Sequence, residues 1–510
     1  MMAAFVRSCV LSGVDASLVE IEVDLSGGLP KTVLVGLAGN AVREGLERVE
    51  IALKSIADNL LTSRTTVNLA PAHLRKEGGS FDLGMALAIL AAHGKVPKET
   101  LQRFVVAGEL GLDGTLRPIH GALVVALATR RARLPALLVP RENAAEAALV
   151  SGIDVFAPAD LAEAVALLNG KSDLKPVRSS QRALLEKAPE EDVDLSDVRG
   201  QLLARRALEI AAAGGHNLLF IGPPGSGKTM LARRLAGILP PLKWEEALEA
   251  TAVHSVAGLL GDRSLVTSRP IRAPHHTASD VAMVGGGRPI RPGELALAHR
   301  GVLFLDELPE FSATALEALR QPLEERNVLI TRVGQSCAFP ADLTLVAAMN
   351  PCPCGYMGDP LHSCTCAESE RRRYRNRLSG PLLDRIDLHV EVPALPWKDL
   401  KAEDSGESSA EVRVRVVEAR RRQRQRRKRA NLWTNAALPA RGLEKHCQLD
   451  AASRARLEMA VERFGLSARA YGRILRVSRT IADLAGHADV MENDLAEAIQ
   501  YRRADRVEPP

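Results

Sequence analysis

Apolar and polar residues alternate along Leu18-Val-Glu-Ile-Glu-Val-Asp24, the period of a strand with one buried face. Lys31 to Gly36 and Arg64 to Ala70 repeat that pattern. Between them Ala41 to Ala57 has helical spacing, and Phe81 to His93 and Leu161 to Leu168 read as apolar helices. Residues 171–196, KSDLKPVRSSQRALLEKAPEEDVDLS, are polar and charged with two prolines, the composition of an interdomain linker. A second set of elements follows. Leu202 to Ala213 is helix-like, His216 to Ile221 is a short apolar run suited to a buried strand, and Met230 to Leu239 returns to helical spacing. Gly301 to Leu305 and Ala341 to Met349 are further buried strands, and Val412 to Arg429 is an arginine-dense helix. Strands and helices in this order give an α/β chain.

Length and charge narrow the picture. At 510 residues the chain is too long for one core, and about 150 residues per domain suggests three. No run of about 18 uncharged apolar residues is present, so no membrane span is expected. The first residues turn acidic early and lack an apolar stretch with a cleavage site, so they read as mature protein. Seven cysteines without such a leader point to reduced thiols in a cytoplasm. A net charge of +5 permits nucleic-acid binding without demanding it.

The sharpest chemical signal is Gly222-Pro223-Pro224-Gly225-Ser226-Gly227-Lys228-Thr229, a phosphate-binding loop between the strand and the helix its mechanism requires. Glycines let successive N–H groups turn toward phosphates, and the helix N-terminus adds positive potential. Lys228 is expected to reach the β- and γ-phosphates of ATP, and Thr229 to hold Mg²⁺. The strand from Gly301 ends in Asp306-Glu307, where Asp306 is expected to help hold Mg²⁺ and Glu307 to polarise the attacking water. Asn350 ends the next apolar run and can touch the γ-phosphate or serve only as a turn residue.

Cys352, Cys354, Cys364 and Cys366 form two C-x-C pairs around a turn rich in glycine and proline. They are candidate ligands of a structural Zn²⁺, with His362 able to replace one of them; reduced thiols without metal are the other reading. Arg371 to Arg377 and the helix Val412 to Arg429 can meet DNA phosphates, or can be a solvated, subunit-facing or acid-paired surface.

Several segments carry resemblances to known families. Lys76 to Gly84 and Gly108 to Gly121 resemble the Lon-protease-like domain found fused to ATPases. That family pairs a serine with a lysine. Ser80 falls near the serine position, but the region after Pro118-Ile-His-Gly121 holds no lysine, and a serine without a base is a poor nucleophile. A non-proteolytic domain reused for assembly or DNA contact is the expectation. The order of the ATPase motifs resembles that of AAA+ proteins, which implies a sensor 1 role for Asn350. Pro381 to Val390 resembles the segment supplying an arginine finger, implying Arg385 in that role, with a local pair to Asp384 or Asp387 as the alternative. Ser467 to Arg476 resembles the sensor 2 helix, implying Arg469, with Arg473 and Arg476 on the same face. Ile271 to Thr277 (IRAPHHT), Val284 to Gly287 and Arg291 to Gly301 complete a resemblance to the YifB/ComM family of magnesium-chelatase-like AAA+ ATPases, over nearly the whole chain.

The resemblance implies a Lon-protease-like α/β domain at 1–170, a linker at 171–196, a P-loop AAA+ core with a parallel sheet at 197–394 carrying the cysteine-rich insert 352–366, and a helical lid at 395–510. It implies ATP and Mg²⁺ as cofactors, a homo-hexameric ring, and single-stranded or branched DNA as partner, with helicase activity that promotes branch migration in natural transformation. A magnesium chelatase subunit, a protein-remodelling ATPase or protease, and a DNA-binding scaffold are the rival readings.

Overall fold

The computed structural model describes residues 4–56, 60, 63–180, 184–185, 193–332, 335–359, 362–394, 406–426, 434–465 and 467–502. The last residue of the helix expected to Ala57, most of 181–192, residues 395–405 of the polar loop from Ala394, and residues 427–429 of the arginine-dense helix lie outside them.

The front of the chain builds a seven-stranded mixed sheet in the spatial order 31–35, 64–70, 15–26, 4–12, 104–106, 136–138, 154–156. The alternating runs form strands at Asp15–Ser26, Lys31–Val35 and Arg64–Ala70. The strand Ala4–Ser12 was not evident from the pattern, because Ser8 and Cys9 are both buried and break the alternation. Its pairing with Asp15–Ser26 runs from Ala4↔Val23 to Ser12↔Asp15. Helix Asp82–Ala92 is buried along nearly its whole length, as an apolar run without a polar face must be.

The front sheet does not stand apart. One apolar cluster joins Val105, Leu123, Val125 and Leu137 to Leu242, Ala250, Leu265 and Val266 from the next unit. Polar contacts tie the same seam. Ser255 donates its hydroxyl to the buried Glu146 carboxylate, which also accepts the Leu123 N–H at 2.8 Å. Burial raises the Glu146 pKa. The expected linker is docked where it is described: Val177 donates to the Val155 carbonyl at 2.8 Å, and Leu184 and Leu185 pack on the same cluster.

The second sheet has five parallel strands in the order 271–272, 302–305, 344–349, 218–221, 388–391. Its central runs, LLFI, VLFL and TLVAAM, are apolar on both faces because helices cover both. The chain end covers the sheet's 388–391 edge, where His389 N–H bonds the Tyr501 carbonyl at 2.9 Å. Two hairpins, with strand pairs 285–286/291–292 and 327–332/335–340, pack Ile290, Val328, Ile330 and Phe339 into this unit's apolar cluster.

Helices Ser409–Arg426, Ala468–Ala485 and Glu492–Gln500 share one apolar cluster with Leu202–Gly214 and the sheet. In Ser409–Arg426 most arginines are spent internally. Arg413 donates to the Gly237 carbonyl at 2.8 Å and Arg420 to Ala212 at 2.7 Å, capping the last turns of two core helices. Helix ends leave such carbonyls unpaired and partly negative, so a guanidinium is well placed there. Arg415 bridges Glu209 and Glu407, and Arg426 meets the buried Asp483, which Arg479 also holds. The acid-paired reading of this helix therefore prevails over phosphate contact for these residues. No described helix is long and apolar enough to cross a membrane.

Candidate active site

Parallel strands deliver their carboxyl ends to one edge of the sheet, and the motif residues gather there. The loop 222–229 leaves strand Leu218–Ile221 and enters helix Lys228–Ile238 through Gly227, whose φ of 89° lies in the left-handed region open to glycine. Strand Thr344–Met349 lies between the loop strand and Val302–Leu305, with Ile221 opposite Met349 and Leu305 opposite Ala347. That register brings Asn350 and Asp306 to the loop from the same side of its strand.

Lys228 is 8% exposed. Its Nζ donates to the carbonyls of Gly222 at 2.7 Å and Pro223 at 2.8 Å, and to Asn350 Oδ1 at 3.3 Å. Burial lowers its pKa, while the Asp306 and Glu307 carboxylates oppose that shift. Thr229 Oγ1 donates to Asp306 Oδ2 at 2.6 Å. A hydroxyl and a carboxylate so paired are hard oxygen donors, which suits Mg²⁺. Glu307 takes a left-handed backbone, φ 51° and ψ 46°, a strained choice for a side-chain-bearing residue costing roughly 1–3 kcal/mol.

Glu307 has a partner that the sequence reading left out. His276 Nδ1 lies 3.1 Å from Glu307 Oε2. Strands 271–272 and 302–305 pair Ile271 with Val302, so counting five residues along each brings His276 level with Glu307. The IRAPHHT segment had served only as a family mark; its position after a short strand was the available signal. Tyr374 is also recruited: the Asn350 N–H points to its hydroxyl, and burial, with Glu310 adding, pushes that hydroxyl up to about 12.

The two expected arginines lie elsewhere. Arg385 precedes strand Leu388–Glu391, so it stands at the amino end of the sheet, away from the phosphate loop. It is 5% exposed, and it pairs with Glu324 at 2.7 Å rather than with Asp384 or Asp387. Arg469 is exposed on the rim of a cleft of about 1220 Å³ at that same end, lined also by Asn217, Arg326 and Asp387. Arg473 bonds Asp387 at 2.6 Å and Arg476 bonds the Leu438 carbonyl at 2.7 Å, so both are committed to packing. Arg473 and the buried His216 hold the Asp387 carboxyl far below its usual range against the opposing effect of burial.

The cysteine sulfurs of 352, 354, 364 and 366 all lie within 4.8 Å of one another, and His362 stands outside that group, paired with Asp359. Of the basic segment after them, Arg377 pairs with Glu310, whereas Arg372 and Arg373 are exposed and form no ion pair among the described residues.

A loop of this geometry on a sheet of this strand order defines a P-loop AAA+ protein. Family models give the finer grouping: "Magnesium chelatase, subunit ChlI" matches residues 194–400, "Subunit ChlI of Mg-chelatase" 21–143, and "Magnesium chelatase, subunit ChlI C-terminal" 406–502. The chain is 45% identical to competence protein ComM of Haemophilus influenzae, over 99% of each. It is 44% identical to the protein YifB of Salmonella typhimurium, over 99% of this chain and 98% of that one. Similarity to the magnesium-chelatase 67 kDa subunit of Chlorobaculum parvum is 28%, over 31% of this chain and 23% of that protein. The chain belongs to the YifB/ComM family of magnesium-chelatase-type AAA+ ATPases.

Proposed function

We propose that this chain is an ATP-driven motor that assembles as a homo-hexameric ring and acts on single-stranded or branched DNA, promoting branch migration in recombination and natural transformation. The observation that carries the reading is the convergence of Lys228, Thr229, Asp306 and Asn350 at one sheet edge, in a chain similar along its whole length to a competence protein. Lys228 and the loop N–H groups hold the phosphates. Thr229 and Asp306 hold Mg²⁺, which when bound neutralises charge on the phosphate oxygens. Glu307, held by His276, orients the attacking water, and Asn350, bonded to Lys228, contacts the γ-phosphate.

Arg385 and Arg469 lie at the far end of the sheet from their own phosphate loop. Their use in hydrolysis therefore requires a neighbouring copy, which is the argument for a ring. Arg385 must also leave Glu324 to act there. We read the front unit, 1–170, as a Lon-like fold without proteolysis, because the region after Pro118-Ile-His-Gly121 offers no lysine to activate Ser80. The C-terminal helices act as the lid. Seven free cysteines agree with a cytoplasmic setting. Arg372 and Arg373 are the favoured phosphate contacts for DNA.

The test is ATP turnover with and without single-stranded, duplex and four-way-junction DNA, with Lys228→Ala as the control. Stimulation strongest on junctions is the expected result. Robust turnover indifferent to every DNA would replace this reading with a protein-remodelling or magnesium-chelatase-type ATPase.

A further inference from the structure

The four-cysteine loop lies directly against the phosphate loop. Cys352 follows Asn350 by two residues, and the chain then turns through Gly355 at φ 88°. A Cβ at Gly355 would stand 2.6 Å from Pro224 Cδ and 2.8 Å from Pro224 Cγ, with Asn350 Cγ 3.9 Å away. Gly355 thus packs its bare face closely against Pro224 of the nucleotide loop, with the Asn350 carboxamide near the same face. Beyond the cysteines, helix Glu368–Arg375 returns Tyr374 to the Asn350 backbone.

Apolar packing does not hold this segment in place. Among the described residues from 351 to 366 only Cys352 and Gly355 are buried. What its side chains share is sulfur. Cys352 Sγ lies 3.4 Å from Cys354 Sγ and 3.6 Å from Cys364 Sγ, and Cys354 Sγ lies 3.6 Å from Cys364 Sγ. Disulfides need about 2.05 Å. A tetrahedron with Zn–S arms of about 2.3 Å has edges of about 3.8 Å, close to these separations. A backbone N–H already faces one sulfur, Cys354 toward Cys366 Sγ at 3.3 Å, while the Gly355 N–H closes the turn on the Cys352 carbonyl at 3.0 Å. An N–H facing sulfur is a usual outer partner of a metal thiolate.

We propose that Cys352, Cys354, Cys364 and Cys366 bind one Zn²⁺ and that this metal knuckle is a positioning element for the phosphate loop, pressing Gly355 onto Pro224 and fixing Asn350. The thiol protons leave to solvent as the four Zn–S bonds form. The metal never meets the nucleotide. Its influence passes through the Gly355 contact, and the proposal rests on reading residues 222–229 as the ATP site.

The experiment uses the full chain. Elemental analysis of purified protein should find one zinc per chain, and replacement by Co²⁺ should give the visible bands of tetrahedral thiolate coordination. His362→Ala should keep the metal; Cys364→Ser with Cys366→Ser should lose it. Chelation should then lower ATP turnover by roughly 10- to 100-fold, with zinc restoring it, while circular dichroism shows the fold retained. Gly355→Ala should keep its zinc and still lose turnover, which separates the metal from the contact. Amide hydrogen exchange at 222–229, read without nucleotide, should quicken on zinc removal and in Gly355→Ala alike.

Absence of metal from active protein overturns the site. Stoichiometric metal whose removal leaves both exchange and turnover unchanged overturns the positioning role. Should turnover be absent in wild type and in Lys228→Ala alike while exchange still responds to zinc, the ATP reading fails and the metal knuckle stands.

Discussion

Two glycine-containing segments of this chain follow the same local plan, and they gather different partners. Lys76-Glu-Gly-Gly-Ser80 leads into the buried helix Asp82–Ala92; Gly222 to Lys228 leads into Lys228–Ile238. Each holds a buried lysine and a nearby hydroxyl. Around Lys228 two loop carbonyls, Asn350 and two carboxylates converge, and Thr229 bonds Asp306. Around Lys76 the bonded partner is the Pro71 carbonyl, and burial alone lowers its pKa. The acid nearest Ser80 in sequence, Asp82, is held by Arg48 at 2.8 Å. Neighbouring strands supply the partners that matter: 302–305 and 344–349 deliver Asp306 and Asn350 to one loop, whereas at the other the Glu109 carboxylate of strand Glu109–Leu110 stands against Gly79 and is not the group Lys76 bonds.

The widest gap should appear in catalysis. Lys228→Ala should lower ATP turnover at least about 100-fold, as loss of a preorganised charge contact does, measured by phosphate release. Glu307→Gln should reduce kcat by roughly 10²- to 10⁴-fold yet leave fluorescent-nucleotide binding near wild type; loss of binding as well would remove its role as a water-orienting group. Asp82→Asn should do the reverse, sparing turnover of the folded protein while changing how its melting temperature depends on pH. Burial raises the Asp82 pKa to about 6 from an ordinary value near 3.8. Between those two pH values the folded form holds a proton that the unfolded form has given up, so this group's contribution to stability falls as pH rises through the window. Melting curves across it should be flatter for Asp82→Asn than for wild type. Ser80→Ala should show the smallest effect of all: unchanged turnover, and no casein-degrading activity to lose. A Ser80-dependent protease signal would erase the contrast between the two segments.

Much of the second unit was legible because continuous apolar runs are what a sheet covered on both faces requires, and the loop and Asp306-Glu307 close such runs. Asn350 followed from the order of motifs. Strand Ala4–Ser12 was not legible, since buried Ser8 and Cys9 disguise its period. The arginine-dense helix stayed open between phosphate contact and a paired surface because charge in a sequence carries no direction; Arg413 and Arg420 point at helix-end carbonyls visible only in three dimensions. His276 escaped because its strand is two residues long, too short to show a period. The local pairing expected of Arg385 is with Asp384 or Asp387; its partner Glu324 lies on a helix more than 60 positions earlier, beyond any local pattern.

The apolar seam between the two sheets bears on descent as well as on folding. An ATPase shorn of its front sheet would lay bare Leu242, Ala250, Leu265 and Val266, a sticky face rather than a working surface. A lineage that discarded the front unit would suffer for it in solubility before any question of chemistry arose. Burial at the seam is thus reason enough to inherit the two units together, whatever chemistry the front one performs.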